Sequence, residues 1–511
     1  MFGLVVGACS SGTDGAASDE TGTPDTTEGA FDRDGVVNVG IDLVQANLFT
    51  FDPAQMQGTP SMDAVYALVY GRLLRQAADG SLGPGLAESA VVVDENTIDI
   101  ELHEGMTWQD GEPFDAESVK AGLDYTLASN NRGGLGTAFF SVSSVDVTGP
   151  TSVQLKINDG TAASWFDTYI SGIEATIVRP GSDFSKPVGA GPMAIASYSP
   201  QKSLTLERFD EYWEADEVDL GGMTFIHTDS TQPQAATNAL RAGQIDVASL
   251  TVDQLPSLGG DLKEVSVPDA SRMFRVVPCK RDGALADPKV RIAMNKAIDR
   301  SAISEVVFAG TAEPGVELWP EGHRLFTEAV AEDLAYDPEG ARQLLAEAGY
   351  PDGLSFDLWA LNALNLPVVA EVLEQQLAAV GITANLVVSN ELLSGFLQPE
   401  APGAAILPGT PNSGLEKLED YQGESLGNVC SYDDPELNTL IAQLAKVSEN
   451  SDAAVAIWDQ INTLYAEKAL GVVLGFSSNI GGYNSSRLTM NSTYPGGLFV
   501  VPDIYDSHMN S

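Results

Sequence analysis

Residues 337–388 read "DPEGARQLLAEAGYPDGLSFDLWALNALNLPVVAEVLEQQLAAVGITANLVV", and this run constrains the fold more than any other. Asp337 is placed to cap a helix and Pro338 to open it at the first position, where a missing N–H costs nothing. Ala341, Leu344, Leu345 and Ala348 recur on one helical face, and Gly349 ends it. "LSFDLWAL" then reads as a strand, "LPVVAEVLEQQLAAV" as a helix closed by Gly381, and "ITANLVV" as a second strand. Strand and helix alternate, so this part of the chain is α/β.

The helix "DPKVRIAMNKAIDR" starts in the same way, with Asp287 capping and Pro288 first; Val290, Ala293, Met294, Ala297 and Ile298 form its stripe. The earlier half is built differently. "VVNVGI" is a strand signal, Asp52-Pro53 marks a turn, and "MDAVYALVYGRLL" has the spacing of a buried helix through Val65, Leu68, Val69 and Leu73. In "AVVVDENTIDIELH" a polar turn at Asp94-Glu95-Asn96 precedes Ile98, Ile100 and Leu102, which alternate with polar residues as in a half-buried strand pair. The next stretch, "EGMTWQDGEPFDAESVKAGLDYTL", holds a Trp and several carboxylates but is explained without catalysis. Asp110-Gly111 turns, Asp115 caps, Glu117 favours the helix dipole, Val119, Leu123 and Leu127 face inward, and Trp108 packs. A second mixed unit runs from "GPMAIASYSPQKSLTLERF" to "ATNALRAGQIDVASL", its helix closed by Gly243. The fold class is therefore mixed α/β.

At about 150 residues per domain, 511 residues suggest roughly three domains. The 72 acidic side chains against 26 Lys and Arg give a formal charge of -46, which repels a phosphate backbone and excludes nucleic acid as a partner. Such acidity suits solubility, in a saline medium included. The start, "MFGLVVGACSSG", resembles the tail of a bacterial lipoprotein signal, with Val6-Gly7-Ala8 before a lipidated Cys9; without a basic region, residues 1–9 are read as a truncated signal. Ser10 to Ala30 has no Leu, Ile, Val, Met or Trp and suits a flexible tether, taken as residues 10–35. No later run reaches 18 apolar residues. With Cys9 set aside, Cys279 and Cys430 remain, and an even pair in an exported protein suggests one disulfide.

Five ordered segments carry a family resemblance: "LAESAVVVDENTIDIELHEGMTWQDGEPFDAESV", "PVGAGPMAIASYSPQKSLTLERFDEYW", "RAGQIDVA", "DPKVRIAMNKAIDR" and "YDPEGARQLLAEAGYPDG". From about Val36 onward the chain resembles family 5 solute-binding proteins of bacterial ABC importers, which include dipeptide-, oligopeptide- and nickel-binding members. The resemblance implies a two-lobed, periplasmic-binding-protein-like fold with an inserted small α+β domain. Lobe one would comprise residues 36–62, 186–278 and 479–511, the inserted domain 63–185, and lobe two 279–478. It further implies an extracytoplasmic monomer, lipid-anchored at Cys9 to the outer face of the cytoplasmic membrane. Such a protein captures a peptide or peptide-like ligand by hinge closure and delivers it to permease subunits, with no cofactor and no covalent chemistry.

The segments resembling the family's ligand walls are Leu48, Phe49 and Thr50; Thr59 and Ser61; Phe139 and Phe140; Trp359 and Asn362; and Thr410, Asn412 and Ser413. Loops and strand ends facing a cleft suit a few polar groups among apolar walls. Taken alone, Phe139, Phe140 and Trp359 read equally as core residues. One departure concerns the ligand. Peptide-binding members carry a Gly-Trp and then an Asp for the peptide ammonium, where "AAILPGTPNSGLEKLED" has Pro, Thr, Asn and Ser, with Glu416, Glu419 and Asp420 offset.

Other functions are weaker. The four histidines, His103, His227, His323 and His508, do not pair at metal-ligand spacing, so a metal would enter only as a whole chelate. An oligosaccharide ligand stays open, as does a sensor that signals to a membrane partner. Ser199 and Lys202 form Ser-x-x-Lys, yet no Lys-Thr-Gly accompanies them and the motif falls in a turn between strands, against an acylase.

Overall fold

The strand Val36–Ile41 lies inside a seven-stranded sheet, parallel to both Gly222–His227 and Val247–Leu250. Ser203–Arg208 and Met193–Ser199 continue the sheet on one side, Ile480–Asn484 and Leu262–Ser266 on the other. The computed structural model describes residues 31–43, 51–52, 63–77, 80–128, 142–229, 232, 234–267, 272–279, 283–362, 365–389, 403–409, 414–418, 421, 428, 432–494 and 499–511.

A four-stranded antiparallel sheet, in the order Ala87–Asp94, Thr97–Leu102, Ser152–Ile157, Val142–Val147, forms the smaller unit. Its first hairpin turns at the expected place, where the Asn96 amide donates to Asp94 Oδ1 at 2.8 Å. Ile98, Ile100 and Leu102 are buried, and the helix Ala116–Ala128 brings in Val119 and Leu123. Asp115 caps that helix, its carboxylate accepting from the Ser118 amide at 3.0 Å. One apolar core runs through both sheets, joining Val37, Val39 and Phe225 to Ile98, Ile100 and Trp165.

The six-stranded sheet has the order Glu313–Pro314, Val472–Ser477, Arg272–Pro278, Gly403–Gly409, Leu354–Leu361, Ile382–Ser389. Leu354–Leu361 is parallel to both of its neighbours, as helix-linked strands require. One face packs Phe274, Val276 and Leu358 against Val290 and Met294 of the helix Pro288–Ala297 and Leu373 of the helix Leu366–Ala378. The other packs Met273, Val473 and Phe476 against Trp458 and Tyr465 of the helix Asp452–Lys468. The two-lobed mixed α/β architecture is thus present. One boundary differs from the sequence reading. Residues 272–278, assigned to lobe one, pair with Gly403–Gly409 and Val472–Ser477 in the six-stranded sheet. The run "RMFRVVP" is buried along nearly its whole length, so its pattern did not say which sheet it would join.

The motif "DPKVRIAMNKAIDR" holds more than an apolar stripe. Arg291 and Arg300 are 2% and 5% exposed. Arg291 donates to Ala469 O at 2.9 Å and to Leu285 O at 2.8 Å, closing the carboxyl end of the helix Asp452–Lys468. Arg300 donates to Val473 O at 2.7 Å and to Asn295 O at 3.1 Å, closing its own motif's helix. Burial pushes both guanidinium groups down to about 10, so they stay charged at neutral pH.

Gln109, in the stretch "WQDGEPF", is a staple between the smaller unit and the seven-stranded lobe. Its Nε2 donates to Val69 O at 2.9 Å, Gly191 O at 3.1 Å and Met193 O at 2.8 Å, while its Oε1 accepts from the Gly189 amide at 3.0 Å. Gly189 has to be glycine there, because a Cβ would lie 1.8 Å from Val69 O. Trp108 and Phe114, both 3% exposed, pack edge-on beside it. The stretch is scaffold. Gln109→Ala strands several backbone groups at once and is expected to lower stability by about 2–4 kcal/mol, read by urea unfolding. A change below about 0.5 kcal/mol, the usual range for surface sites, would show that the staple carries no weight.

Candidate functional site

The chain passes between the seven- and six-stranded sheets twice among the described residues. Leu262–Ser266 leads to Arg272–Pro278, and Val472–Ser477 leads to Ile480–Asn484. Strand ends of the two sheets therefore face each other across a crevice, the usual place for a ligand in open α/β sheets. A cavity of about 200 Å³ lies there. One wall is Gly40 to Asp42, Thr228, Asp229 and Ser249 to Thr251; the other is Arg272, Phe274, Phe308 and Asn365. Ser477, Ser478 and Asn479, at the second crossing, close the back.

Asn479 ties the crossings together. Its carbonyl accepts from the Val267 amide at 2.8 Å, and its Oδ1 accepts from Arg272 Nη2 at 2.6 Å. Arg272 Nε is buried with no hydrogen-bond partner among the described residues. Burial pushes this guanidinium down to about 10. On the opposite wall Asp42 is 6% exposed and sits 3.6 Å from His227.

Of the residues expected at the site, Trp359 and Asn362 are described. Trp359 lies on the six-stranded sheet, packed with Cys279, Ala405 and Leu407. Its indole Nε1 is buried and unpartnered among the described residues, a state that costs about 1–3 kcal/mol unless a ligand or water completes it. Asn362 is exposed just past the strand end, its amide donating to Ser389 O at 3.1 Å. Neither lines the 200 Å³ cavity. Leu48, Phe49, Thr50, Thr59, Ser61, Phe139, Phe140, Thr410, Asn412 and Ser413 lie outside the described residues. Cys279 is disulfide-bonded, while Cys9 and Cys430 lie outside the described residues. Sequence reasoning missed Arg272 and the Ser477-Ser478-Asn479 crossing. The available signal was a single Arg heading a strand that is otherwise apolar apart from Arg275.

Ser199 and Lys202 flank a hairpin turn, the Lys202 amide donating to Ser199 O at 3.0 Å. Among the described residues no group of three or more His, Cys, Asp or Glu is placed to hold a metal ion. No described helix is long and apolar enough to cross a membrane.

A second bridge joins the smaller unit to the six-stranded lobe. On the helix Ala162–Tyr169, Asp167 accepts from Ser448 Oγ at 2.6 Å and from the Glu449 amide at 2.8 Å, and Ser164 donates to the Ala445 carbonyl. Arg324 holds the same loop through Glu449 O and Ser451 O, each at 2.9 Å. Burial raises the Glu449 carboxyl, and the Asp167 charge adds to that. Two charge-assisted bonds at Asp167 stabilise the docked arrangement by about 1–2 kcal/mol, roughly 5- to 30-fold in a docked-to-open ratio. Asp167→Ala is expected to enlarge the radius of gyration of the unliganded protein in small-angle scattering, with unchanged far-UV circular dichroism. An identical scattering profile would remove this bridge from control of the crevice.

The family model described as "Bacterial extracellular solute-binding proteins, family 5 Middle" matches residues 81–398. A glutathione-binding protein, GsiB, from Salmonella paratyphi A is 30% identical over 365 residues, covering 69% of each chain. Two solved structures share the fold. The oligopeptide-binding protein AppA of Bacillus subtilis, in complex with a nonapeptide, has a TM-score of 0.77 at 20% identity, over 93% of this chain and 99% of that one. NikA of Staphylococcus aureus, in complex with Ni(L-His)2, has a TM-score of 0.77 at 18% identity, over 93% of this chain and 100% of that one.

Proposed function

The chain belongs to family 5 of the bacterial extracellular solute-binding proteins, and from that premise we propose that it captures a small peptide or peptide-like solute between its lobes and hands it to an ABC import permease. The observation that carries this is the cavity at the strand ends of both lobes, backed by the two crossings. Two crossings make a hinge, and a ligand touching both walls favours the closed form because it binds that form better. Relatives that bind glutathione and a nonapeptide support the solute class. Capture and release break no bond, so the reading needs no catalytic residue and no cofactor. Trp359 stands off that cavity, packed with Cys279 and Ala405, and its indole N–H, unpartnered among the described residues, would extend the ligand wall alongside the segments at 48–50, 59–61, 139–140 and 410–413.

Mass spectrometry of solutes released from the purified mature protein, followed by titration of the solute found, is the direct test. Saturation is expected to shrink the radius of gyration and raise the melting temperature, with the solute recovered chemically unchanged. Trp359→Ala is expected to weaken binding roughly 5- to 30-fold, the usual loss for a buried aromatic anchor. A solute recovered as a reaction product, or no compaction at saturation, would overturn the reading.

The same proposal puts the protein outside the cytoplasmic membrane, held by lipid on Cys9, with residues 10–30 as tether; residues 31–35, read from the sequence as tether, instead join the folded lobe, Phe31 pairing with Asn510 and Asp32 with Met509 while Arg33 Nε donates to Val218 O at 3.2 Å. Two acyl chains give stable attachment where one gives only marginal binding. Cys9→Ser, made in the full-length gene, is expected to move the protein from the membrane fraction to the soluble fraction. Retention equal to the wild type would rule out the lipid anchor.

A further inference from the structure

Away from the hinge, the smaller unit and the six-stranded lobe meet at the helix Ala162–Tyr169, and the contact brings two acidic residues together. Asp167 accepts from the Ser448 hydroxyl and from the Glu449 amide, so the backbone that it holds carries the second carboxyl group. Glu449 Oε2 accepts from the Gly414 amide at 3.0 Å. The groups facing Glu449 divide by lobe. Lys417, on the helix Gly414–Lys417, and Arg324, which holds the carbonyls of Glu449 and Ser451, favour its charged form. Both belong to the same lobe as Glu449, as does the Gly414 amide. His323 stacks on Trp319 in that lobe, and burial together with Lys417 and Arg324 pushes its titration down. Of these groups Asp167 alone comes from the other side, and it disfavours the charge on Glu449. When the lobes part, the two cations and the amide stay with Glu449. Asp167, and the share of burial that its helix supplies, do not. In the docked arrangement burial is the largest influence and Asp167 adds to it, so the Glu449 carboxyl lies above its ordinary range despite the cations.

We propose that docking of the two lobes takes up one proton at the contact between Asp167 and Glu449, which makes this contact a pH-sensitive latch on the crevice. The inference rests on the reading of the protein as a receptor that closes about a hinge, and it involves no residue that lines the cavity. A carboxyl group that titrates higher in the docked form than in the open one binds its proton more tightly when docked. Below the ordinary glutamate value of about 4.3 both forms are protonated, and the latch has its full strength. As the pH rises through the docked range, Glu449 becomes charged beside Asp167, and the docked-to-open ratio falls by at most about tenfold per pH unit for one proton. A mildly acidic medium therefore favours the closed receptor, and a rise in pH favours opening and release.

The test uses the whole mature protein, stripped of solute by unfolding and refolding. Small-angle scattering follows it from about pH 5 to about pH 8, at low salt and in about 1 M sodium chloride. High salt separates the latch from the general acidity of the chain. Repulsion among 72 acidic side chains also relaxes as the pH falls, but about 1 M salt screens exposed charges within about 3 Å and a partly buried pair much less. The wild type is expected to expand as the pH rises, in high salt as in low. Glu449→Gln is neutral at every pH and still accepts from Gly414, so it is expected to stay compact throughout. Asp167→Asn keeps an oxygen for the Ser448 hydroxyl and the Glu449 amide but loses the charge, and it is expected to flatten the pH dependence. A wild-type radius of gyration that ignores pH in high salt would overturn the latch, and that measurement needs no substitution. Expansion of Glu449→Gln with pH, equal to that of the wild type, would overturn it as well. In either case, compaction on the solute identified by mass spectrometry would leave capture between the lobes standing.

Discussion

Only Ser478 and Asn479 separate the last described strand of one lobe from a strand of the other, and Asn479 is where the molecule's two halves are fastened. Its backbone carbonyl accepts from Val267 at the end of the first crossing, and its side chain accepts from Arg272 at the start of the next strand. Both ends of the first crossing therefore hydrogen-bond to one buried residue of the second, 5% exposed. Two chain passages set side by side allow rotation about one axis and resist shear, so the strand ends of both sheets meet in one register. The cavity lies against that axis. Its walls belong to different lobes, so its shape is a direct function of the hinge angle.

Three kinds of polar side chain do the joining elsewhere, and each satisfies backbone groups that the fold would otherwise leave orphaned. Gln109 serves the carbonyls at the end of the helix Asp63–Tyr70 and the strand beginning at Met193. Arg291 and Arg300 serve helix carboxyl ends, where carbonyls lack an intrahelical partner. Asp167 serves an amide of the opposing loop. Buried polar atoms with no hydrogen-bond partner among the described residues occur beside the crevice, at Arg272 Nε, and within the lobes as well, at Arg72 Nε, Trp319 Nε1 and Trp458 Nε1.

The helices opening on Asp-Pro were legible because capping and the proline's fixed φ are local. The structure keeps Asp287 on the Lys289 amide at 2.8 Å and Asp337 on the Gly340 amide at 2.9 Å. The hairpin at Asp94 to Thr97 was legible for the same reason. The joining roles of Gln109, Arg291 and Arg300 were not, because each reaches a carbonyl 40 to 178 residues away and periodicity reports apolar faces alone. Residues 272–278 were misassigned because a strand buried on both faces has no alternation to orient it. For the site, the family pattern pointed to Trp359, whereas Arg272 carried no motif; its meaning comes from the company the fold gives it.

The charge of the chain contrasts with a desolvated arginine in the crevice. With 72 acidic residues against 26 Lys and Arg, the outer surface repels anions. Salt at physiological strength screens that field within about 8 Å, so an approaching carboxylate feels it mainly at contact. Inside the crevice screening is weak, and a single guanidinium there outweighs many distant surface charges. Within the crevice Arg272 is the one cation among the described lining residues, and Asp42 and Asp229 share that lining with it.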